Sequence, residues 1–370
     1  MSSSLLPAAT APLVVGLSGG VDSAVAALRL QRLGHPLTAV FMRNWDDDTD
    51  GDECSAAQDL ADAERVCERL GIPLETVSFA EDYWREVFAR FLDEHRAGRT
   101  PNPDVLCNRE IKFRVFVEHA ARRGAAAVAT GHYAGIGSAG GLRTLRMAAD
   151  AGKDQTYFLY TLGQAELARA CFPLADLDKA EVRALAREAG LPVAQKKDST
   201  GICFIGERPF RAFLAEYLPD LPGEIVDAQG RVLGEHRGLH YYTLGQRQGL
   251  GIGGGHGDDG APWFVAAKHT ASNRLIAVQG HDHPLLYADR LQAVEPSWVA
   301  GEAPADAFDC LARTRHRAPL EACRVTAEGD AVSVRFERPQ RALTPGQSVV
   351  FYQPPLCLGG AVIDGVGEAV

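Results

Sequence analysis

A segment near the start of the chain has the composition of a phosphate-binding loop. It reads Gly16-Leu17-Ser18-Gly19-Gly20-Val21-Asp22-Ser23, between an apolar run at 13–15 and an apolar helical pattern at 24–30. This order predicts a strand, a turn and a helix, in which turn N–H groups and the positive helix end attract phosphate oxygens. The segment lacks Gly-Lys-Ser/Thr, which excludes a Walker loop, and its glycine spacing does not fit a dinucleotide fingerprint. The alternative is a turn that only joins two core elements.

Two cysteines lie in segments that can activate a thiol. Cys107 follows Thr100-Pro101-Asn102-Pro103-Asp104, where two prolines stiffen the backbone before a predicted helix whose positive end favours a thiolate. In that segment Asp104 is either an acid or base or a helix cap. Cys203 follows Lys196-Lys197-Asp198-Ser199-Thr200-Gly201-Ile202, and two nearby lysines would lower the pKa of its thiol. The alternative for each is a small core residue.

Composition limits the class of protein. The chain has 370 residues, which predicts two or three domains, and a net charge of −10, which does not indicate nucleic-acid binding. Binding depends on local basic patches, however, and one such patch includes Arg313, Arg315, His316 and Arg317. None of the eight cysteines forms a Cys-x-x-Cys pair, which argues against a zinc ribbon.

Targeting signals are absent from the sequence pattern. The first seven residues contain no basic residue, so we interpret them as a tail and not as a signal or transit peptide. No apolar run has the length needed to cross a bilayer. We therefore expect a cytoplasmic protein without a membrane partner.

Alternating elements over residues 1–205 predict an α/β domain with a doubly wound parallel sheet. The predicted strands include 36–42, 74–79 and 126–130, and the predicted helices include 57–70 and 107–121. Ligands of such sheets bind beyond the carboxyl ends of the strands. The glycine-rich segment, Met42 and Gly131 all fall there.

The rest of the chain predicts two smaller domains. Glycines and short strand-like runs dominate residues 206–280, which we interpret as a linking domain. Residues 281–370 contain alternating apolar and polar runs separated by turn signals, which predict a small antiparallel β-barrel.

A series of motifs, in order from about residue 13 to the C-terminus, resembles the tRNA-specific 2-thiouridylases, a family of ATP pyrophosphatases. The motifs are residues 16–23, 100–113, 129–133, 153–155, 198–206, 242–247, 249–254 and 344–347. The resemblance implies an adenine nucleotide alpha hydrolase-like fold and conversion of the wobble uridine at position 34 of tRNA to 2-thiouridine.

The resemblance also implies the cofactors and the nucleotide site. ATP would adenylate the 2-carbonyl oxygen, and Mg²⁺ would accompany ATP near Asp22 without a dedicated protein metal site. The residues implied for ATP binding are Gly16, Leu17, Ser18, Gly19, Gly20, Val21, Asp22, Ser23, Met42 and Gly131.

By the same resemblance, Cys203 carries sulfur as a persulfide, and either its terminal sulfur or hydrosulfide released from it attacks the activated carbon. Cys107 is the partner of Cys203 in a transient disulfide, and Asp104 is a general acid or base. The sulfur donor would be a cysteine desulfurase or a sulfur-relay carrier, and the acceptors tRNAs for Lys, Glu and Gln. The residues implied for tRNA binding are Asn102, Pro103, Asp104, His132, Lys153, Asp154, Gln155, Arg315, His316 and Gln347.

Three other interpretations stay open. Another ATP pyrophosphatase, an amidotransferase or synthetase, would explain residues 16–23 but not the two cysteines or the barrel. A non-catalytic RNA-binding protein would have no need of Asp22, Ser23 or either thiol. A labile iron–sulfur cluster on Cys107 and Cys203 would need a further ligand.

Overall fold

The computed structural model describes residues 5, 7, 8, 10–45, 53–198, 210–252 and 260–367, without the side chains of 53–55.

A five-stranded parallel sheet forms the centre of the first domain. The strands of this domain in chain order are β1 (Leu13–Gly16), β2 (Leu37–Arg43), β3 (Leu74–Ser78), β4 (Ala127–Ala129), β5 (Gly135–Ala139), β6 (Leu142–Arg146) and β7 (Ala170–Cys171). The sheet has the order β3-β2-β1-β4-β7, with every neighbouring pair parallel.

Helices cover both faces of this sheet. The α-helices of the described residues, in chain order, are α1 (Val21–Arg32), α2 (Glu53–Leu70), α3 (Ala80–Tyr83), α4 (Ala89–Arg96), α5 (Pro103–Leu106), α6 (Phe116–Arg122), α7 (Gln164–Arg169), α8 (Lys179–Glu188) and α9 (Phe210–Ala215). Val14 and Val40 pack into one core, whereas their neighbours Val15 and Ala39 pack into another. A strand buried on both sides is what a doubly wound sheet requires, which confirms the predicted fold class.

The predicted helix at 107–121 has an irregular first half. Cys107–Val115 is a π-helix, which continues directly into α6, and a second π-helix spans Trp84–Phe88 between α3 and α4. Since α5 already begins at Pro103, Cys107 lies one turn inside helical backbone and not at the amino end of the helix. The prediction that the positive helix end activates this thiol is therefore weakened, because that effect fades within the first turn.

A four-stranded sheet forms the middle domain. Its strands are β8 (Gly223–Val226), β9 (Val232–His236), β10 (Trp263–His269) and β11 (Arg274–Gln279). They lie in the order β10-β11-β8-β9, and only the β8–β11 pair is parallel. Short 3₁₀ turns occur at Thr156–Phe158, Leu239–Tyr241 and Pro284–Leu286.

The last domain is a closed antiparallel barrel, as predicted. Its strands are β12 (Tyr287–Trp298), β13 (Ala307–Arg313), β14 (Glu321–Glu328), β15 (Ala331–Arg341), β16 (Ser348–Gln353) and β17 (Leu356–Val366). Pairing of β12 with β17 closes the barrel. The β5–β6 hairpin of the first domain also pairs with β17, with Arg146 opposite Leu356, which the sequence did not predict. The exact domain boundaries at 205 and 280 stay predictions.

None of the helices in the described part of the chain combines the length and apolar character that crossing a membrane requires.

Candidate active site

Residues 16–23 form a tight turn between β1 and α1. Gly19 has a φ of +71°, and a Cβ there would lie 2.3 Å from the Asp59 carbonyl oxygen, so both the conformation and the space require glycine. Gly20 precedes α1 in extended conformation, and α1 begins at Val21. The loop therefore lies at the positive end of a twelve-residue helix, a favourable place for phosphate.

Two serines brace this loop from inside. The Ser18 N–H donates to Ser23 Oγ at 3.2 Å, and the Ser23 hydroxyl donates to the Gly20 carbonyl at 3.1 Å. Because these bonds join the two ends of the turn, its shape is set without a ligand.

The predicted nucleotide residues lie together at the carboxyl ends of the strands. A Cβ on Gly16 would lie 3.2 Å from Met42 Cε, and a Cβ on Gly131 would lie 2.6 Å from the Ser23 nitrogen. Phe116, on the helix that continues from Cys107, would also lie 3.2 Å from a Cβ on Gly16. The nucleotide loop and the Cys107 helix are thus in contact.

Asp22 is held by two residues that sequence reasoning missed. The Tyr133 hydroxyl donates to Asp22 Oδ1 at 2.7 Å, and Lys179 Nζ lies 2.7 and 2.8 Å from the two carboxylate oxygens. Burial and the nearby Asp22 charge raise the pKa of Tyr133 well above its usual range, so the hydroxyl stays a donor. Lys179 is at the start of α8, 157 residues from Asp22 in the sequence.

Asp198 gathers three cations beside this loop. It accepts from Lys153 Nζ at 2.6 Å and from Arg183 Nη2 at 2.9 Å, and it lies 2.8 Å from Lys179 Nζ. Burial alone would raise the pKa of Asp198, but the bonds from Lys153 and Lys179 outweigh it and lower the pKa to about 2. Lys153, implied above for tRNA, therefore lies in a cationic cluster next to the phosphate loop.

One of the two lysines predicted to lower the pKa of the Cys203 thiol is paired elsewhere. Lys196 Nζ donates to the Gly19 carbonyl at 3.1 Å, to Asp59 at 2.6 Å and to Asp62 at 2.5 Å. Its charge is thus balanced by two carboxylates under the phosphate loop, while Lys197 is exposed. Cys203 itself lies outside the described residues.

The segment before Cys107 contains Asp104, three residues ahead of this buried thiol. Cys107 is 1% exposed, and Pro103 begins the short helix α5. Burial raises the pKa of Asp104, and the positive charge of Lys112 opposes this only in part. A carboxyl with a raised pKa holds its proton at a higher pH than usual, which suits it to act as a general acid or base. Asn102 precedes α5, and its side chain bonds the Tyr157 hydroxyl.

Three of the residues implied for tRNA binding lie around the end of β4. His132 Nδ1 is 2.7 Å from Thr130 Oγ1, and burial lowers the pKa of His132 well below its usual value, so the ring is neutral. The Gln155 side chain accepts from the Tyr133 N–H at 2.9 Å. Asp154 is 1% exposed and accepts from Thr156 Oγ1 at 2.7 Å. Asp154 and Gln155 therefore bond within the chain.

The other three residues implied for tRNA binding belong to the barrel. Arg315 donates to the carbonyls of Leu244 and Ala342 at 3.1 and 2.9 Å, which joins the middle domain to the barrel. His316 Nε2 is 3.2 Å from the Asp154 carbonyl oxygen. Gln347 Nε2 donates to the Thr100 carbonyl at 2.8 Å. Their roles toward tRNA stay predictions.

Within the described ranges, no group of three or more His, Cys, Asp or Glu side chains could hold a metal ion. Asp22 is the carboxylate in the first turn of α1, at the end of the phosphate loop, and Asp59, Asp62 and Asp198 are paired with lysine or arginine. This fits Mg²⁺, which commonly binds through one or two carboxylates plus substrate phosphates.

Three family models match successive parts of the chain. They are the tRNA methyl transferase HUP domain over residues 11–207, the tRNA methyl transferase PRC-barrel domain over 211–279, and the aminomethyltransferase beta-barrel domain over 288–363.

Curated relatives match nearly the whole chain. The tRNA-specific 2-thiouridylase MnmA of Methylococcus capsulatus is 57% identical over 355 residues, which cover 95% of this chain and 96% of the relative. The protein of the same name from Francisella tularensis subsp. mediasiatica is 54% identical over 353 residues, covering 95% and 98%. Among solved structures, the U34-tRNA thiolase NcsA from Methanococcus maripaludis is 20% identical, with a TM-score of 0.35 over 56% of this chain and 65% of that one. That likeness is too weak to support an inference.

Proposed function

The chain belongs to the family of tRNA-specific 2-thiouridylases, and from that premise we propose how its residues convert a tRNA uridine to 2-thiouridine. The observation that carries the function is identity of 54–57% to such enzymes over 95% of the chain. The matching domain descriptions mention methyl transferases, but the near-complete relatives are thiouridylases. A phosphate loop backed by cations also suits ATP cleavage.

The first step activates a poor electrophile. The uracil 2-oxygen attacks the α-phosphorus of ATP, the bond to the β-phosphate breaks, and pyrophosphate leaves. In our assignment, the loop of residues 16–23 holds the pyrophosphate, while Met42 and Gly131 border the adenosine. Lys153 and Lys179, which both pair with Asp198, provide positive charge for the departing phosphates.

Mg²⁺ would neutralise phosphate charge during this step, with Asp22 as its protein ligand. Lys179 and Tyr133 both bond the Asp22 carboxylate. These two residues hold the carboxylate in one orientation at the amino end of α1.

The second step replaces oxygen with sulfur. Cys203 carries a persulfide whose terminal sulfur attacks the uracil C2, and the C2–O bond breaks to release AMP. The Cys107 thiolate attacks the Cys203 sulfur as the S–S bond of the persulfide breaks, and its two electrons reduce the transferred sulfur. A Cys107–Cys203 disulfide remains, which an external dithiol reduces. Asp104, with its raised pKa, exchanges a proton with the target base.

The substrate is a tRNA anticodon loop, because the wobble base must leave its stack to expose the 2-carbonyl. We assign contacts with it to Asn102, Pro103, Asp104 and His132, and to the barrel residues around Arg315, His316 and Gln347. The acceptors are tRNAs for Lys, Glu and Gln. Sulfur comes from a cysteine desulfurase or a relay carrier, and the reaction takes place in the cytoplasm.

A matched pair of cysteine variants tests this proposal. Cys107→Ala abolishes 2-thiouridine formation, measured by mass spectrometry of tRNA digested after incubation with ATP and a sulfur donor. Cys67→Ala is the control, because Cys67 is a buried helix residue whose pKa burial raises to about 11. Normal thiolation by Cys107→Ala, or equal loss in both variants, would contradict the assignment. Pyrophosphate release without tRNA but with a small carboxylic acid or amide donor would favour an amidotransferase or synthetase.

A further inference from the structure

Four residues ahead of the Cys107 helix are held by the two other domains. Gly98, Arg99, Thr100 and Pro101 connect the end of α4 to Asn102, and we call this segment the strap. It leads directly into Asp104 and Cys107. Its contacts show that it is more than a connection between two helices.

The middle domain holds the beginning of the strap. Lys268, in β10, donates from Nζ to the Gly98 carbonyl at 2.9 Å. Gly98 has a φ of +78°, and a Cβ there would lie 2.8 Å from Thr270 Cγ2. The left-handed φ favours glycine at this position. The Lys268 ammonium group lies at the negative end of α4, where its charge is favourable.

The barrel holds the end of the strap. The Thr100 N–H donates to the Pro345 carbonyl at 2.9 Å, and Gln347 Nε2 donates to the carbonyls of Thr100 and Pro101 at 2.8 and 3.3 Å. Between them Gly346 has a φ of +92°, and a Cβ there would lie 2.9 Å from the Thr100 backbone.

These contacts fix carbonyl and N–H groups on both sides of Arg99. Arg99 itself pairs with Glu94 of α4 and lies 3.3 Å from Asp364 of the barrel. Pro101 and Pro103 restrict the backbone that follows, so little rotation separates the strap from α5. A displacement of either accessory domain is thus transmitted to the residues that we assign to the reaction.

We propose that the strap is a positioning segment, through which Lys268 of the middle domain and the Pro345–Gln347 turn of the barrel set the placement of Asp104 and Cys107. Lys268 is a positioning residue and touches no substrate. The test of this inference by thiolation kinetics rests on the proposed function, whereas its test by hydrogen–deuterium exchange does not.

Hydrogen–deuterium exchange over residues 102–108 gives the structural readout. Lys268→Met removes the bond to Gly98 but keeps most of the stem, and Gly346→Ala pushes the barrel turn away from Thr100. We expect amide exchange in this segment to rise about tenfold in each. Lys268→Met loses a hydrogen bond to a charged donor, which contributes about that factor. Gly346→Ala overpacks the turn against the Thr100 backbone, which has an effect of similar size. Gly329→Ala is the control, because Gly329 is a barrel turn glycine with a φ of +65° and open space around it.

Thiolation kinetics give the functional readout. We expect kcat to fall about tenfold in Lys268→Met, with the KM for ATP unchanged. In Lys268→Arg we expect kcat near that of the wild type, because arginine keeps a charged donor. Unchanged exchange at 102–108 in both strap variants would overturn the proposal, as would an equal rise in Gly329→Ala. If the wild type forms no 2-thiouridine, the proposed function fails, whereas the exchange result still decides the strap.

Discussion

Replacement of Gly131 by alanine tests the nucleotide loop through one methyl group. A Cβ at this position would lie 2.6 Å from the Ser23 nitrogen and 2.8 Å from the Asp22 carbonyl carbon. Both are backbone atoms in the first turn of α1, so no flexible side chain can move aside. Gly131 does not have a left-handed φ, so the effect of alanine is purely steric.

The size of the effect follows from these distances. Ordinary contacts begin near 3.4 Å, so the start of α1 must move away from the end of β4 by about 0.8 Å. Overpacking of this kind costs roughly 1–3 kcal/mol. ATP needs the loop in its original position, so binding must restore it against that cost. Since about 1.4 kcal/mol is a factor of ten in affinity, we expect the ATP Kd to rise roughly tenfold or more.

Isothermal titration of ATP into the wild type and into Gly131→Ala measures this change in Kd. Gly234→Ala is the control, because a Cβ on Gly234 of β9 would meet nothing within 4 Å and its φ is ordinary. Circular dichroism establishes that both variants are folded. A folded Gly131→Ala protein that binds ATP as tightly as the wild type would refute the placement of nucleotide against this turn.

Three further predictions concern single titratable side chains. Asp22→Asn abolishes tRNA-dependent pyrophosphate release, measured with a coupled pyrophosphatase assay, and release at the wild-type rate would remove Asp22 from the step. Asp198→Asn lowers the free energy of unfolding at pH 7 by about 1–2 kcal/mol, measured in urea titrations and already reduced for solvent screening. The greater stability of the wild type is present above pH 4 and disappears as the pH falls toward the pKa of about 2. His95 is 3% exposed and burial lowers its pKa to about 3, so wild-type stability falls as pH drops from about 6.5 toward 3, by up to about 1.4 kcal/mol per pH unit. His95→Phe weakens that dependence, and an identical acid profile would contradict it.

The phosphate loop was predictable because its signal is local. Residues 16–23 contain the strand end, the glycines and the helix start within one short segment, and a few residues decide its conformation. The alternating runs after residue 285 predicted a barrel for the same reason, since side-chain alternation in each strand depends on which face is buried.

The charge network around the loop could not be predicted in this way. Lys179 meets Asp22 only because α8 packs beside α1, and nothing in the sequence near either residue specifies that partner. Lys196 is similar: its neighbours suggested a cysteine, but its ammonium group bonds Asp59 and Asp62. Ion pairs between distant segments follow from the packing of whole elements, which sequence periodicity does not encode.

The link between domains was also beyond the sequence. The turn at 344–347 matched a motif of the family, and the resemblance implied that Gln347 contacts tRNA. In the structure this turn bonds the backbone of Thr100 and Pro101. Backbone carbonyls have no residue-specific signature, so such contacts leave no trace in composition. The same holds for the β5–β6 hairpin, whose pairing with β17 uses main-chain bonds.

The fate of one oxygen atom tests adenylation of the uridine most directly. The purified protein is given ATP, a sulfur donor and a tRNA that carries ¹⁸O at the 2-position of the target uridine, and the AMP is analysed by mass spectrometry. We predict one ¹⁸O in AMP for each 2-thiouridine formed, because the uracil oxygen leaves with the phosphate that activated it. AMP without ¹⁸O, alongside normal 2-thiouridine, would contradict this reaction path.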